Sequence, residues 1–224
     1  MDFKIKLNLF FNVLTTNFFK ISSMLLQIII LFTLYSFLNK LKFGEYGSYY
    51  LFIIILSIIQ NYGSHIIILR KISLTKYSFN SSIIFNSIAA ALIRSIIILP
   101  IFIVLIYLLF GISTNIFYVF VSGILMSLLQ IFSYIFRGLG KVTHADFYEN
   151  FLKSLILLIS INFFKSSTVE TILLLVMFSL LVPLFLIIIH LQKQKIIDFI
   201  TLFKNRFKIN FFISKDFPIV ISNL

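Results

Sequence analysis

Long uncharged apolar runs separated by short basic loops set the pattern of this chain. The clearest run lies between Glu45 and Arg70, EYGSYYLFIIILSIIQNYGSHIIILR. Its 24 intervening residues carry no formal charge, more than the ~20 that an α-helix needs to cross the hydrocarbon core of a bilayer. Within it Ser57, Gln60, Asn61 and Ser64 recur at offsets of three, four and seven, so a helix gathers them on one face with His65 at its edge. A row of amides and hydroxyls turned to lipid costs about 1 kcal/mol or more apiece, so the stripe is expected to face other helices or a water-filled cavity.

The same reading extends along the chain. Residues 3–19 read as an interfacial helix leading into a first span over Lys20–Leu38, where Ser23 and Gln27 lie one turn apart. Asn39–Tyr46 reads as a tight connection in which Gly44 and Gly47 supply positive φ. The second span ends at Leu69, and the third, Ile83–Phe110, holds Arg94 and Pro100. Pro100 removes one backbone donor and is expected to kink its helix, which neighbours in a bundle tolerate. The fourth span, Ile116–Phe136, aligns Ser122, Met126, Gln130 and Ser133 with Arg137 just beyond it, and RGLGKVTH follows as a loop. The fifth, Ala145–Phe164, places Asp146, Glu149, Asn150, Lys153 and Ser160 on one helical face. The sixth, Thr171–Leu191, contains Pro183.

Beyond it, Ile196, Ile197, Ile200, Phe203 and Phe207 share one side of a helix and most charges the other, the pattern of an amphipathic linker on a membrane surface over 192–210. The chain closes on an apolar run after Asp216 that reads as the start of a seventh span, so it is expected to be truncated or a piece of a longer protein. The predicted fold is all-α, a polytopic transmembrane bundle with a six-span lobe over 1–191, the linker, and an incomplete second lobe over 211–224.

Composition agrees. The chain has 224 residues, 60% hydrophobic and only 12% charged, with a mean hydropathy of +1.09, whereas soluble domains are about a quarter charged. Its net charge of +12 would suggest nucleic acid in a soluble protein. Here the charges cluster in short loops beside apolar runs, which points to membrane topology and not to a nucleic-acid partner. With the N-terminus inside, the inner side receives Lys4, Lys6, Lys20, Arg70, Lys71, Lys76, Arg137, Lys141 and every basic residue from Lys193 to Lys215. The outer side receives only Lys40, Lys42 and Lys165, so a cytoplasmic N-terminus is predicted. No cleavage site follows the first apolar stretch, and no signal peptide is expected. Cysteine is absent, which removes disulfides, thiolate zinc sites and thiol catalysis. His65, His144 and His190 lack metal-ligand spacing, and RGLGK lacks that of a phosphate-binding loop, so neither metal nor cofactor is expected.

Four segments resemble the MOP exporter superfamily, and within it the Wzx-type polysaccharide flippases related to MATE transporters. They are NLFFNVLTTNFFKISSMLLQI, LKFGEYGSYYLFIIILSIIQNYGS, FRGLGKVTHADFYEN and KDFPIVISNL, the last similar to the opening of a second lobe. The resemblance implies two six-helix lobes around a cavity that opens alternately to each side, with this chain covering one lobe and the beginning of the next. It implies transport of undecaprenyl-pyrophosphate-linked oligosaccharide from the cytoplasmic to the outer leaflet of a bacterial inner membrane, in polysaccharide biosynthesis such as that of O-antigen. Membrane lipids and other polysaccharide-assembly membrane proteins are then its partners. A polymerase or glycosyltransferase acting on the same carrier is the rival class. Its need for a sizeable extramembrane segment and a placed carboxylate is not met by short outer connections carrying only Glu45 and Glu170. An inactive truncated flippase product is a third reading.

Under the resemblance, a diphosphate head group needs cations in a cavity of low dielectric. Arg94, well inside the third span, costs roughly 2.5–3.5 kcal/mol to insert unless paired or hydrated. It either contacts that anion or pairs structurally with Glu149 or Asp146. Glu149 and Lys153 stand in the favourable i,i+4 order, which makes them an internal ion pair or makes Glu149 a protonatable group coupled to an ion gradient. Asp146, the other candidate for ion coupling, lies nearer the interface and is expected to be solvated. Lys153, Gln60, Asn61 and Gln130 are candidate cavity residues, against the plainer reading of the stripes as interhelical hydrogen-bond glue.

Overall fold

The computed structural model describes residues 3–74, 81–110, 115–165 and 167–194. The chain is an all-α polytopic bundle, and among the described residues six helical stretches are long and apolar enough to cross a membrane: Val13–Phe37, Lys40–Asn61, Asn86–Leu108, Asn115–Gly138, Val142–Phe164 and Val169–Lys193. The helices are α1 (Phe3–Phe37), α2 (Lys40–Asn61), α3 (Ser64–Leu74), α4 (Ser81–Phe110), α5 (Asn115–Gly138), α6 (Val142–Asp146), a π-helical turn (Phe147–Leu152), α7 (Lys153–Phe164) and α8 (Val169–Lys193). The amphipathic segment and the seventh span expected over 192–210 and 211–224 lie outside the described residues from 195 onward.

Three boundaries differ from expectation for identifiable reasons. The interfacial helix and first span are one unbroken helix, because nothing between residues 3 and 37 interrupts helical propensity. The first turn falls at Leu38–Asn39, not at Gly44 and Gly47, which are both helical within α2. Asn39 fixes that start, its Oδ1 accepting the Lys42 N–H at 2.9 Å. The second run is not one helix: α2 stops at Asn61, Tyr62 leaves helical geometry, and Gly63 takes φ +71° before α3 begins. A left-handed residue ends a helix cheaply only as glycine, and the polar residues on both sides, Gln60, Asn61, Ser64 and His65, read as one continuous helical stripe. The loop expected over RGLGKVTH shrinks to Leu139–Lys141, with Gly140 at φ +74°. Pro100 and Pro183 sit inside helices that continue through them.

α5 is the central helix. It packs most extensively on α2 and α8 and also meets α3 and α4, while α1 lies against the fifth span. α2 and α3 run parallel to α5, with Leu56 over Gly123 near one end and Ile72 over Gly138 near the other. A Cβ on Gly123 would stand 3.0 Å from that of Leu56, and one on Gly138 only 2.9 Å from that of Ile72. Small residues at such points let membrane helices approach where lipid offers no hydrophobic drive to associate.

Candidate functional site

The α2 stripe turns inward. Ser57, Gln60, Asn61 and Ser64 are all buried, and the stripe meets the one on α5. Asn61 donates through Nδ2 to Gln130 Oε1, and Ser127 donates to Asn61 Oδ1 at 2.9 Å. This part of the stripe is interhelical glue. Gln60 lies beside it fully buried, with no hydrogen-bond partner for either amide atom among the described residues.

Arg94 reaches the break in the second span. Its guanidinium donates to the Tyr62 carbonyl and, at 2.6 Å, to Ser64 Oγ, while Nε donates at 3.1 Å to Ala90 O on its own helix. A broken helix leaves carbonyls without partners, and the planar fork of arginine spans two acceptors where an ammonium cannot. Arg94 does not pair with Glu149 or Asp146.

Those carboxylates gather instead on Arg137, which the sequence aligned with the polar face of the fourth span and counted among the inner-side charges. Arg137 Nη2 donates to Asp146 Oδ1 at 2.9 Å, and Glu149 Oε2 lies 2.9 Å from the same nitrogen as a charge contact without hydrogen-bond alignment. Lys20 stands 3.8 Å from Asp146 Oδ2, and Asn150 donates to Oδ1 at 3.4 Å. Asp146 is 1% exposed, so the expected solvated carboxylate is a buried one. The Arg137 guanidinium also sits 4.8 Å from the Tyr134 ring centre, and His65 packs against the same ring at 4.9 Å between centroids.

The π turn explains why Glu149 and Lys153 are not the pair their spacing suggests. Hydrogen bonds of the i→i+5 kind take up one residue more than an α turn, and this shifts everything after the turn by about 100°. On an unbroken α-helix, Lys153, seven residues on, would point within about 20° of Asp146. With the π turn, Ser154 takes that direction and is buried as Asp146 is. Lys153 is carried off the Asp146 face, within electrostatic range of Glu149 but in no ion pair with it.

It enters a cavity of about 160 Å³ enclosed by α1, α2, α5, α7 and α8. Gln27, Ser154 and Ser179 supply its other polar walls, and Ile30, Leu31, Phe43, Tyr46, Met126 and Leu157 much of the rest. Among the described residues Lys153 makes no hydrogen bond or ion pair. Thus of the expected site residues, Lys153 lines this cavity, Glu149 and Asp146 form the charge cluster, Asn61 and Gln130 bond each other, Gln60 is enclosed and unpaired, and Arg94 holds the break.

A polar seam on α1 joins the charge cluster to the Lys153 cavity. Thr16, Lys20, Ser23 and Gln27 recur at helical spacing on α1. Thr16 meets Thr143 at 3.1 Å, Lys20 approaches Asp146, and Gln27 shares the cavity with Lys153. Only Ser23 and Gln27 of this set stood out in the sequence, although the full spacing was there to find. At the same end His144 and His190 come to 5.1 Å between ring centroids, and the Tyr148 hydroxyl lies 3.0 Å from His190 Nδ1, a closeness their separation along the chain conceals. Comparison with protein-family models, curated proteins and solved structures found no match to this chain.

Proposed function

We propose that the chain is a lobe of a membrane flippase that moves an undecaprenyl-pyrophosphate-linked oligosaccharide from the cytoplasmic to the outer leaflet of a bacterial inner membrane, with its N-terminus cytoplasmic. The observation that carries this reading is the buried Arg137–Asp146–Glu149 cluster set beside a cavity entered by an unpaired lysine. Ionisable residues at bilayer depth are costly and mark pathways for ions and polar cargo.

In this reading Lys153 meets the diphosphate and Glu149 with Asp146 takes up the coupling ion. Arg94, Asn61 and Gln130 keep α2, α4 and α5 in register, while Gln60 stays enclosed beside them. A cavity of about 160 Å³ is below the 300–1,000 Å³ of sites that enclose drug-sized ligands. It therefore accommodates a head-group fragment, and the sugars lie on the lobe's outer surface, facing a second lobe that rocks against it.

The test is surface polysaccharide in a flippase-deficient strain expressing the protein that carries this chain. Wild type is expected to restore it and Glu149→Gln to lose most of it at equal membrane abundance. Full export by Glu149→Gln, or none by wild type, overturns the reading.

A further inference from the structure

Where α5 gives way to α6 and α8 finishes, the bundle carries a chain of side-chain hydrogen bonds outside the charge cluster and the cavity. Lys141, in the turn between α5 and α6, donates from its ammonium to Gln194 Oε1 at the end of α8. The nitrogen of the same amide lies 2.6 Å from His190 Nε2, and His190 Nδ1 lies 3.0 Å from the Tyr148 hydroxyl in the π turn. Phe136, fully buried, stands 5.1 Å from the His190 ring and stacks on His144 at 5.7 Å, so the imidazole is held in place by its neighbours.

One protonation pattern satisfies this chain. An ammonium has no lone pair to accept with, so Lys141 must face the Gln194 oxygen, and the amide nitrogen must then face His190. His190 Nε2 is accordingly an acceptor, which puts the single proton of the neutral ring on Nδ1, where it donates to Tyr148. A protonated His190 carries hydrogens on both nitrogens and sets Nε2 donor to donor against the amide. Turning the amide over restores that bond only by setting its nitrogen against Lys141. Either way the chain breaks. The charged and titratable groups around the ring are Lys141 from the turn, His144 from α6, Tyr148 from the π turn and Lys193 on α8 itself. Among the described residues no carboxylate pairs with it.

We infer that Lys141, Gln194, His190 and Tyr148 form a proton-sensitive latch, closed over the end of α8 while His190 is neutral and opened when it takes up a proton. The latch ties the α5–α6 turn, the π turn and α8 together, so opening it frees the end of α8 from the turn. It does not depend on what the bundle carries.

The wild-type protein in nonionic micelles, with isotope-labelled histidine nitrogens, presents three histidines to magnetic resonance, and His190 is assigned from the signals lost in His190→Phe. At about pH 8 its ring is expected to hold its proton on Nδ1, and Gln194→Ala, which removes the donor to Nε2, is expected to move the proton to Nε2. Opening is read as the distance between nitroxides on Val142→Cys and Gln192→Cys in the otherwise cysteine-free chain. That distance is expected to lengthen and broaden between about pH 8 and about pH 5, across which an ordinary imidazole gains its proton. His144→Phe keeps the response, His190→Phe abolishes it, and Gln194→Ala is broad at both pH values. A wild-type His190 proton on Nε2, a wild-type distance unchanged with pH, or a response that survives His190→Phe or is lost in His144→Phe overturns the latch. The tautomer is read on wild type alone, so a variant that fails to fold does not shield the latch from that outcome.

Discussion

Arg137 Nη2 lies 2.9 Å from Asp146 and 2.9 Å from Glu149, so one guanidinium near the end of α5 serves two carboxylates of the fifth span. Removing it strands both acids in an apolar setting, whereas removing one acid leaves the other paired. Arg137→Met is therefore expected to destabilise the bundle by about 3 kcal/mol and Glu149→Gln by only about 1 kcal/mol. Thermal melts in detergent would show the difference, and equal losses would mean that the three groups do not act as a unit.

Gln60 and Asn61 are neighbours in sequence with opposite fates. Asn61 is bonded to Gln130 and Ser127, while both polar atoms of Gln60 are buried with no partner among the described residues. An unmet amide costs its full desolvation penalty, so Gln60→Leu is expected to stabilise the protein by about 1 kcal/mol or more. Asn61→Leu is expected to destabilise it by about 1 kcal/mol, in keeping with interhelical hydrogen bonds in membranes. Both variants are read against wild type in the same melt, and a Gln60→Leu protein less stable than wild type would show that the amide has a partner.

How much of this was legible before the structure depends on which physical rule applied. The six spans were, because bilayer thickness fixes the length of apolar run that a helix must supply. The inward turn of Gln60 and Asn61 followed from the cost of polar groups in lipid. The break at Tyr62–Gly63 was missed because Gln60, Asn61, Ser64 and His65 also fit the spacing of one helical stripe, which outweighed the turn signal of Asn61 and Gly63. The pairing of Glu149 was misjudged because i,i+4 counting assumes an α-helix, and a π turn leaves no mark in local composition. Arg137 was aligned with Gln130 and Ser133 on one helical face but otherwise counted only as an inner-side charge, so its pairing with Asp146 and Glu149 was not anticipated.

Gly138 tests the docking of α3. A methyl group there would sit 2.9 Å from Ile72 Cβ, closer than side chains approach, and α5 and α3 must separate to admit it. Gly138→Val is expected to cost about 2 kcal/mol through overpacking, and Ile72→Ala in the same chain should recover most of that. Failure of the second change to rescue the first would place the strain elsewhere.

Arg94 is the residue whose two readings part most sharply. Bonded to the Tyr62 carbonyl and Ser64 Oγ, it satisfies groups exposed by the broken helix. Arg94→Gln is expected to lose about 1–3 kcal/mol as the carbonyl is left without a donor in the bilayer. Arg94→Lys should recover only part of this, because a single ammonium does not reproduce the fork. If Arg94 instead contacts cargo, both variants melt like wild type while export falls. Melting and export measured on the same two variants separate the cases, and a parallel fall in both, graded from lysine to glutamine, is the outcome the hydrogen bonds at the break require.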